Sequence, residues 1–396
     1  MVFIRFKKAL LDAAGAAVCL LLLPFLYAAE IFWRIRIGEL VDDRIGHIAF
    51  NTEAFLRRLE LKGRPPRTTY VFLSFNPANR SLVRMIGRRV PVLESKIVRR
   101  LFIGARPIFT RTRFFAPIPF FSSEHYELSV GRPQLSFTES EDRRGQAFLR
   151  SVGLQPTDWF ICIHARTPAY LAAKVNQPPH NSFRDCSIAN YMKAAQWAIE
   201  QGGWVFRMGS IDMTPMTFSH PRLVDYANTH RDDFLDVYLS AKCRMYLGNT
   251  SGLVGIPLIF NVPSGLANYV ELFFSSLGGH TLYIPKLLRD PDGSFVPFRD
   301  VAGMGLMAWP ENSDIRRRMT DRHQALFDRW EENSADDIRD LCMDVFDMIA
   351  GRPASEEARR LQDAYRAFFG DSPSASPHAG RIGPRFALKY RHLIEA

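Results

Sequence analysis

From residue 35 to residue 349 the sequence returns repeatedly to one pattern: a short apolar run, a turn, then a stretch with helical spacing. A chain that alternates in this way folds as an α/β protein. Parallel strands need long crossovers, and helices supply them while covering the sheet. In a first block, residues 35–41, 69–75 and 90–93 read as strands, and 48–59 and 81–88 as helices. Residues 137–152 follow as a helix, with Thr138 as cap ahead of Glu141. In a second block, strands are expected at 159–164, 204–208, 243–247 and 257–262. Helices are expected at 188–200, entered through Asp185 or Ser187 and closed by Gly202 and Gly203, at 232–241, and within 321–349. The joining stretch 107–133 is rich in Pro and Phe, has no period, and reads as an irregular connection; the split falls between Phe137 and Asp158. Residues 372–383 are rich in Ser, Pro and Gly and are expected to be loose.

The length of 396 residues fits two domains. With 47% hydrophobic and 23% charged residues the body is globular. The net charge of +10 suits an anionic partner, such as a nucleotide diphosphate, a lipid phosphate or an acidic leaflet. Nucleic acid is disfavoured, because the basic residues lie in short scattered clusters without zinc-finger spacing or an RNP-like motif. Five widely spaced cysteines, never in C-x-x-C, argue against a disulfide framework or structural zinc and point to a reducing compartment.

An unbroken apolar run, residues 13–29, lies between Asp12 and Glu30, with Arg5, Lys7 and Lys8 before it and Arg34 and Arg36 after. It is near the lower length limit for a span. Basic residues on both flanks favour keeping both ends on the cytoplasmic side, and Pro24 offers a break that would let the segment return. The expectation is a membrane anchor that holds the body to the cytoplasmic face of the inner membrane; a spanning helix and a re-entrant one are both open, and the two basic flanks favour the re-entrant form.

In open parallel sheets, ligands bind beyond the carboxyl ends of the strands. That rule selects His164 and Arg166, then Arg207, Gly209 and Ser210, then Asn249, Thr250, Ser251 and Gly252. Small residues admit backbone N–H groups to a phosphate, hydroxyls donate, and a guanidinium grips two oxygens, so the set suits a diphosphate. In the first block a Gly46-His47 turn precedes a helix. An imidazole there can accept a hydroxyl proton, with Asp43 and Glu53 as rival bases. Each of these residues has a plain structural reading beside the functional one: a turn, a carboxylate pair, a helix-start histidine.

The run from His180 through Arg184, Asp185 and Tyr191, followed by Gly202 to Gly209, resembles a family of bacterial glycosyltransferases of the surface-polysaccharide type. Arg44 to His47, Leu247 to Gly252 and Ile284 to Lys286 share the resemblance, which covers about residues 38–349. More distantly, the second block is similar to the nucleotide-sugar domain of the fucosyltransferase superfamily, whose His-x-Arg arginine contacts the donor diphosphate. Carried over, that arginine is Arg166 and the later turn is Asn249 to Gly252. The sequence departs from that pattern at Thr167-Pro168-Ala169-Tyr170, where an acidic residue is expected.

The resemblance implies two facing Rossmann-like domains in the GT-B arrangement. Residues 1–34 are the anchor, 35–150 the acceptor-side domain, 151–350 the nucleotide-sugar domain, and 351–396 a helix and tail. The donor is a nucleotide-diphosphate sugar, held by His164, Arg166, Arg184, Asp185, Arg207, Gly209, Ser210 and Asn249 to Gly252. The acceptor is a glycan or lipid-linked intermediate, and no metal or other cofactor is expected. Two other classes compete. One is a polyprenyl-phosphate sugar-phosphate transferase, whose only candidate metal pair is Asp290 and Asp292. The other is a non-catalytic membrane-attached binding protein.

Overall fold

The computed structural model describes residues 2–118, 125–167, 182–210, 216, 218–272, 277–307 and 313–396. The chain divides into two compact units, Met1–Ser122 with Pro133–Phe137, and Ser123–Arg132 with Thr138–Ala396. Part of the expected irregular connection (119–124), Pro168 to Tyr170, and His180 with Asn181 of the resembling run lie outside the described residues.

The first unit runs α1 (Val2–Glu30), β1 (Arg34–Glu39), α2 (Ile45–Leu61), β2 (Thr68–Ser74), α3 (Arg80–Gly87), β3 (Val92–Glu94) and α4 (Lys96–Phe109). Its three strands pair in parallel in the order β1-β2-β3. Asn79 starts α3 by accepting from the Leu82 N–H at 2.9 Å, and Ser95 starts α4 by accepting from Val98 at 3.3 Å. Helix α1 is continuous through Pro24, so the break expected there does not occur. Proline removes one hydrogen bond from the ladder, but side chains either side of it, Cys19, Leu23 and Leu26, pack with Phe102, Ala105, Phe109 and Phe114 and hold the helix together. Helix α4 has no counterpart among the expected elements. Its apolar face is covered by α1, a partner far away in sequence.

The second unit opens with α5 (His125–Val130) and α6 (Glu139–Ser151). Then come β4 (Phe160–Ile163), α7 (Met192–Glu200), β5 (Trp204–Arg207), β6 (Leu223–Val224), α8 (Tyr226–Thr229), α9 (Asp233–Lys242), β7 (Met245–Gly248), α10 (Gly255–Ile259), β8 (Ser264–Tyr269), β9 (Thr281–Pro285) and β10 (Leu287–Leu288). The chain finishes with α11 (Phe298–Gly303), α12 (Ser313–Ala325), β11 (Trp330–Glu331), α13 (Ala335–Ile349), α14 (Glu356–Ala367), β12 (Arg381–Ile382), α15 (Pro384–Lys389) and α16 (Arg391–Glu395). Among the described residues seven strands form one sheet, β12-β9-β8-β7-β4-β5-β6, with every neighbouring pair parallel. Residues of β4, β5, β7, β8 and β9 are buried throughout, as a parallel sheet covered on both faces requires. Both units are α/β with parallel sheets, the class the alternation predicts.

Helix α6 begins with the expected capping box on Thr138 and Glu141. It groups with the second unit: Arg144 forks onto Asp232 at 3.0 Å, and Phe148 packs edge-on to Tyr226 and tilted to Phe206. Two expectations fail. Residues 257–262 are not a strand: α10 occupies Gly255–Ile259, and β8 starts at Ser264. A short apolar run with Pro257 in it satisfies either period, so spacing alone does not separate the two. The tail is not loose. Arg381 and Ile382 add an edge strand to β9, and Ser374, Ala379 and Ile382 are buried. Long-range partners, including the Ser129 hydroxyl bonded to the His378 carbonyl at 2.7 Å, supply order that local composition does not show.

Candidate functional site in the second unit

The strand order contains a reversal. From β4 the chain builds outward through β5 and β6, then returns to β7 on the other side of β4 and continues through β8 and β9. The crevice at such a reversal, beyond the carboxyl ends of the strands, is where open α/β sheets bind ligands. Here it lies between the ends of β4 and β7. His164, Ala165 and Arg166 follow β4, and Asn249 follows β7.

Asn249, fully buried, joins the segments around this crevice. Its Oδ1 accepts from the Arg166 backbone N–H at 3.0 Å, and its Nδ2 donates to the Arg184 carbonyl at 2.7 Å. The Arg166 guanidinium pairs with Asp185. Arg184 donates to Glu271 at 3.0 Å, and Lys286 Nζ donates to the Asp185 carbonyl at 2.9 Å. Glu271 lies just past β8 and Lys286 just past β9. Arg316 on α12 is also within electrostatic reach of Glu271 and Arg184. Glu332, which accepts from the Ser187 N–H at 3.0 Å, is within electrostatic reach of Lys286. The cluster therefore holds four cations, Arg166, Arg184, Lys286 and Arg316, against three carboxylates, Asp185, Glu271 and Glu332.

Burial pushes the Arg166 guanidinium down from its usual range, and Arg184 adds to that; burial does the same to Lys286 and Arg316. Burial pushes Glu271 up, but Arg184, Arg316, His323 and Arg166 more than offset it and hold the carboxyl below its ordinary value. An excess of positive charge among half-buried groups is costly unless an anion joins them. The Thr250 Oγ1 is enclosed with no hydrogen-bond partner among the described residues, and it can donate to such an anion.

Several expected contacts are placed otherwise. Arg207 is fully buried and pairs with Asp225 at 2.9 Å, so it braces β5 against the start of α8. Gly209 and Ser210 follow it at the end of the β5 segment. The turn Asn249 to Gly252 does not itself open a helix; α10 starts three residues later, and the Ser251 hydroxyl lies against the Tyr246 hydroxyl. Ser187, not Asp185, caps the following helical turn, accepting from Ala189 at 3.2 Å. Glu271, Lys286, Arg316 and His323 are absent from the sequence-derived set. The carboxyl-end rule reaches Glu271 only once β8 is placed correctly.

His164 is buried and its Nδ1 lies 3.1 Å from the Met208 carbonyl. A carbonyl only accepts, so Nδ1 carries the proton. Burial, with Arg207 and Arg166 nearby, lowers its pKa to about 4. His323 is fully buried, stacked on Phe183 with centroids 5.2 Å apart, and burial lowers it to about 4 as well. Both are neutral in the fold from about pH 4 upward, whereas in the unfolded chain each takes a proton below about 6.5. Their contribution to stability is complete above about 6.5 and falls as pH drops towards 4. Asp236 runs the other way: burial raises it to about 6, so stability is lost as pH rises through that value. We expect the slope of melting temperature against pH between 4 and 6.5 to fall in His323→Phe and to steepen in Asp236→Asn. Parallel curves for parent and variants would contradict this.

In the first unit, His47 stands at the first turn of α2, half-buried, with its Nδ1 3.1 Å from Asn51 Oδ1. Asp43 is exposed beside Arg44. The neighbouring Asp42 is buried and accepts from the Ser74 hydroxyl at 2.7 Å and the Asn76 N–H at 3.1 Å, which fixes the turn after β2. Glu53 is fully buried, pairs with Arg57 at 2.8 Å, and accepts from the Gln134 N–H at 2.6 Å. Burial raises its pKa, and Arg57 opposes the rise.

The sequence matches no family model. It also matches no curated protein. Among solved structures it is similar to a glycosyl transferase family 9 protein of Veillonella parvula DSM 2008, at 13% identity and a TM-score of 0.43, over 74% of this chain and 97% of that one. It is similar at 15% identity and a TM-score of 0.44 to the ADP-heptose lps heptosyltransferase II of E. coli, over 74% of this chain and 98% of that one.

Proposed function

We propose that the chain is a glycosyltransferase that moves a sugar from a nucleotide-diphosphate donor to a lipid-linked or surface glycan acceptor, without a metal ion. The observation that carries this is the excess of cations around Arg166 at the reversal of the parallel sheet, the position where open α/β sheets bind ligands and where an anionic diphosphate would join them. The resemblance of the residues around Arg184, Asp185 and Asn249 to bacterial glycosyltransferases supports it. In this reading an acceptor hydroxyl oxygen attacks the anomeric carbon. The bond to the diphosphate breaks, and its electron pair leaves with the nucleotide. Arg166, Arg184 and Lys286 offset the charge that develops on the leaving group, and the Thr250 hydroxyl donates to it. His47 is proposed as the base. Its Nδ1 lies 3.1 Å from the Asn51 amide oxygen, which accepts from an Nδ1–H and orients the ring. Helix α1 is proposed to hold the body at the cytoplasmic face of the inner membrane; its segment Ala9–Glu30 is long and apolar enough to cross one.

A sugar-phosphate transferase reading gains nothing from Asp290 and Asp292. Asp290 accepts from Arg329 at 3.0 Å, and Asp292 accepts from the Ser294 N–H and hydroxyl, so the pair forms a turn.

The test is a thermal-shift panel of nucleoside diphosphates on the full chain, followed by donor hydrolysis in EDTA. A nucleotide at a hundred times its Kd stabilises by about 2.7 kcal/mol. We expect at least one base to do so, hydrolysis to persist in EDTA, and His47→Ala to lose transfer while keeping nucleotide affinity. No shift with any nucleotide would defeat the reading. Activity abolished by EDTA and restored by manganese would defeat metal independence, and normal turnover in His47→Ala would remove the base.

A further inference from the structure

Helix α1 has two unlike sides. One side, Asp12, Gly15, Cys19, Leu23, Leu26, Tyr27 and Glu30, recurs at intervals of three and four and meets the first unit. Gly15 and Gly104 let α1 and α4 touch backbone to backbone. A Cβ added at Gly15 would lie 2.2 Å from the Leu101 carbonyl oxygen, and one at Gly104 2.3 Å from that of Asp12. Asp12 pairs with Arg100 at 2.7 Å, and at the other end Glu30 pairs with Arg36 and with Arg113, both at 2.7 Å. Tyr27 packs edge-on to Phe114 at 4.8 Å, with Arg113 over its ring. The other side is apolar and exposed: Leu20, Leu21 and Phe25 are 56%, 69% and 73% accessible, and Ile31, Phe32 and Trp33 continue it past the helix end. Only 11% of the apolar window is buried, so α1 is not the core helix of a soluble domain.

These contacts restrict how α1 can meet a bilayer. Asp12 and Glu30 are 18 residues apart in one helix, about 27 Å along its axis. Both are fixed to the same body. For them to sit at opposite faces of a hydrocarbon core about 30 Å thick, α4 would have to enter it carrying Lys96, Arg99, Arg100 and Arg106. The basic charge fits a different placement. From Arg84 to Arg113 there are nine Lys and Arg residues and one acid, Glu94; Arg100, Arg106 and Arg113 pair with Asp12, Glu39 and Glu30, and the excess that remains complements an anionic leaflet.

We propose that α1 does not cross the bilayer but lies in the plane of an anionic leaflet, its Leu20, Leu21 and Phe25 side immersed and its Gly15 side held on α4, so that the first unit is a monotopic membrane-binding body. This deepens the membrane attachment proposed above and is independent of the transfer chemistry. It replaces the re-entrant form, since α1 neither breaks nor returns. It also makes Gly15 and Gly104 membrane-positioning residues, because a larger side chain at either would part α1 from its support.

The test uses the full chain with a fluorophore on single cysteines introduced by Leu10→Cys, Ala17→Cys, Leu21→Cys and Ala28→Cys. The native cysteines are all buried. The protein is bound to sealed vesicles of phosphatidylcholine with or without phosphatidylglycerol. Flotation reads attachment, and quenching by lipids labelled at known depths reads orientation. We expect flotation to be roughly tenfold greater with phosphatidylglycerol, and all four labels to lie at one shallow depth, about 5–10 Å below the headgroups. Depths that change steadily along the helix and pass through the bilayer centre would overturn the in-plane placement while leaving attachment standing. Equal flotation on both vesicles would overturn the anionic preference. No flotation on either would overturn attachment itself, whatever the nucleotide panel gives.

Discussion

Arg166→Ala is expected to weaken nucleoside-diphosphate binding roughly 10- to 150-fold, the loss that follows from removing a charged hydrogen-bonding partner worth about 1.5–3 kcal/mol. Arg166 is held from both ends. Its backbone N–H is fixed by Asn249, and its guanidinium is aimed by Asp185 at the end of the sheet where β4 and β7 part. The fold should survive the change, because Arg166 is half-buried and Asp185 keeps Arg184 and Lys286 nearby. Arg166→Lys should recover only part of the affinity, since an ammonium cannot grip two oxygens in one plane. Asp185→Asn separates binding from structure. It removes negative charge from the cluster and should leave diphosphate affinity equal or higher, with a steeper salt dependence. Calorimetry showing unchanged affinity in Arg166→Ala would remove Arg166 from the site. A loss in Asp185→Asn as large as in Arg166→Ala would mean the pair acts as a structural brace.

Where local spacing decided the outcome, the sequence could be read directly. β1, β2, β4, β5 and β7 have apolar runs bounded by turns, and Thr138 with Glu141 forms its cap within four residues. What escaped depends on distant partners. Helix α4 needs α1 to cover it; β12 needs β9 beside it; β8 is displaced because Pro257 to Val262 satisfies two periods. The site followed the same division. Arg166 and Asn249 sit at strand ends visible from the sequence, and they do converge. Glu271 was hidden behind the misplaced strand, and Arg316 comes from a helix with no strand end to flag it. Arg207 met the strand-end rule yet is fully buried against Asp225, because the rule gives a residue's height in the sheet and says nothing about what its side chain meets.

The largest stability effect is expected at Glu53, the residue that was a rival base by sequence. Glu53 and Arg57 are both fully buried, one helical turn apart on α2. The same Glu53 oxygen accepts from the Gln134 N–H, so it ties Pro133–Phe137 back into the first unit after the chain has left it. Glu53→Ala leaves a buried guanidinium without its carboxylate, and breaking a buried pair in this way costs about 3–5 kcal/mol. Restoring neutrality should recover part of the loss: Glu53→Leu combined with Arg57→Met removes both members of the buried pair, and replacing such a pair with apolar residues is often close to neutral, while the Gln134 N–H still loses its acceptor. Denaturant unfolding of the full chain in detergent, followed by a probe in the first unit, measures both. A Glu53→Ala protein within about 1 kcal/mol of the parent would show that the pair is not the brace argued here, since that is the range of an exposed pair. Glu53→Gln adds the functional arm. It keeps the shape and most of the hydrogen bonds, so under the proposed transfer reaction a folded Glu53→Gln protein should turn over as the parent does; loss of turnover with its melting temperature intact would favour Glu53 over His47 as the base.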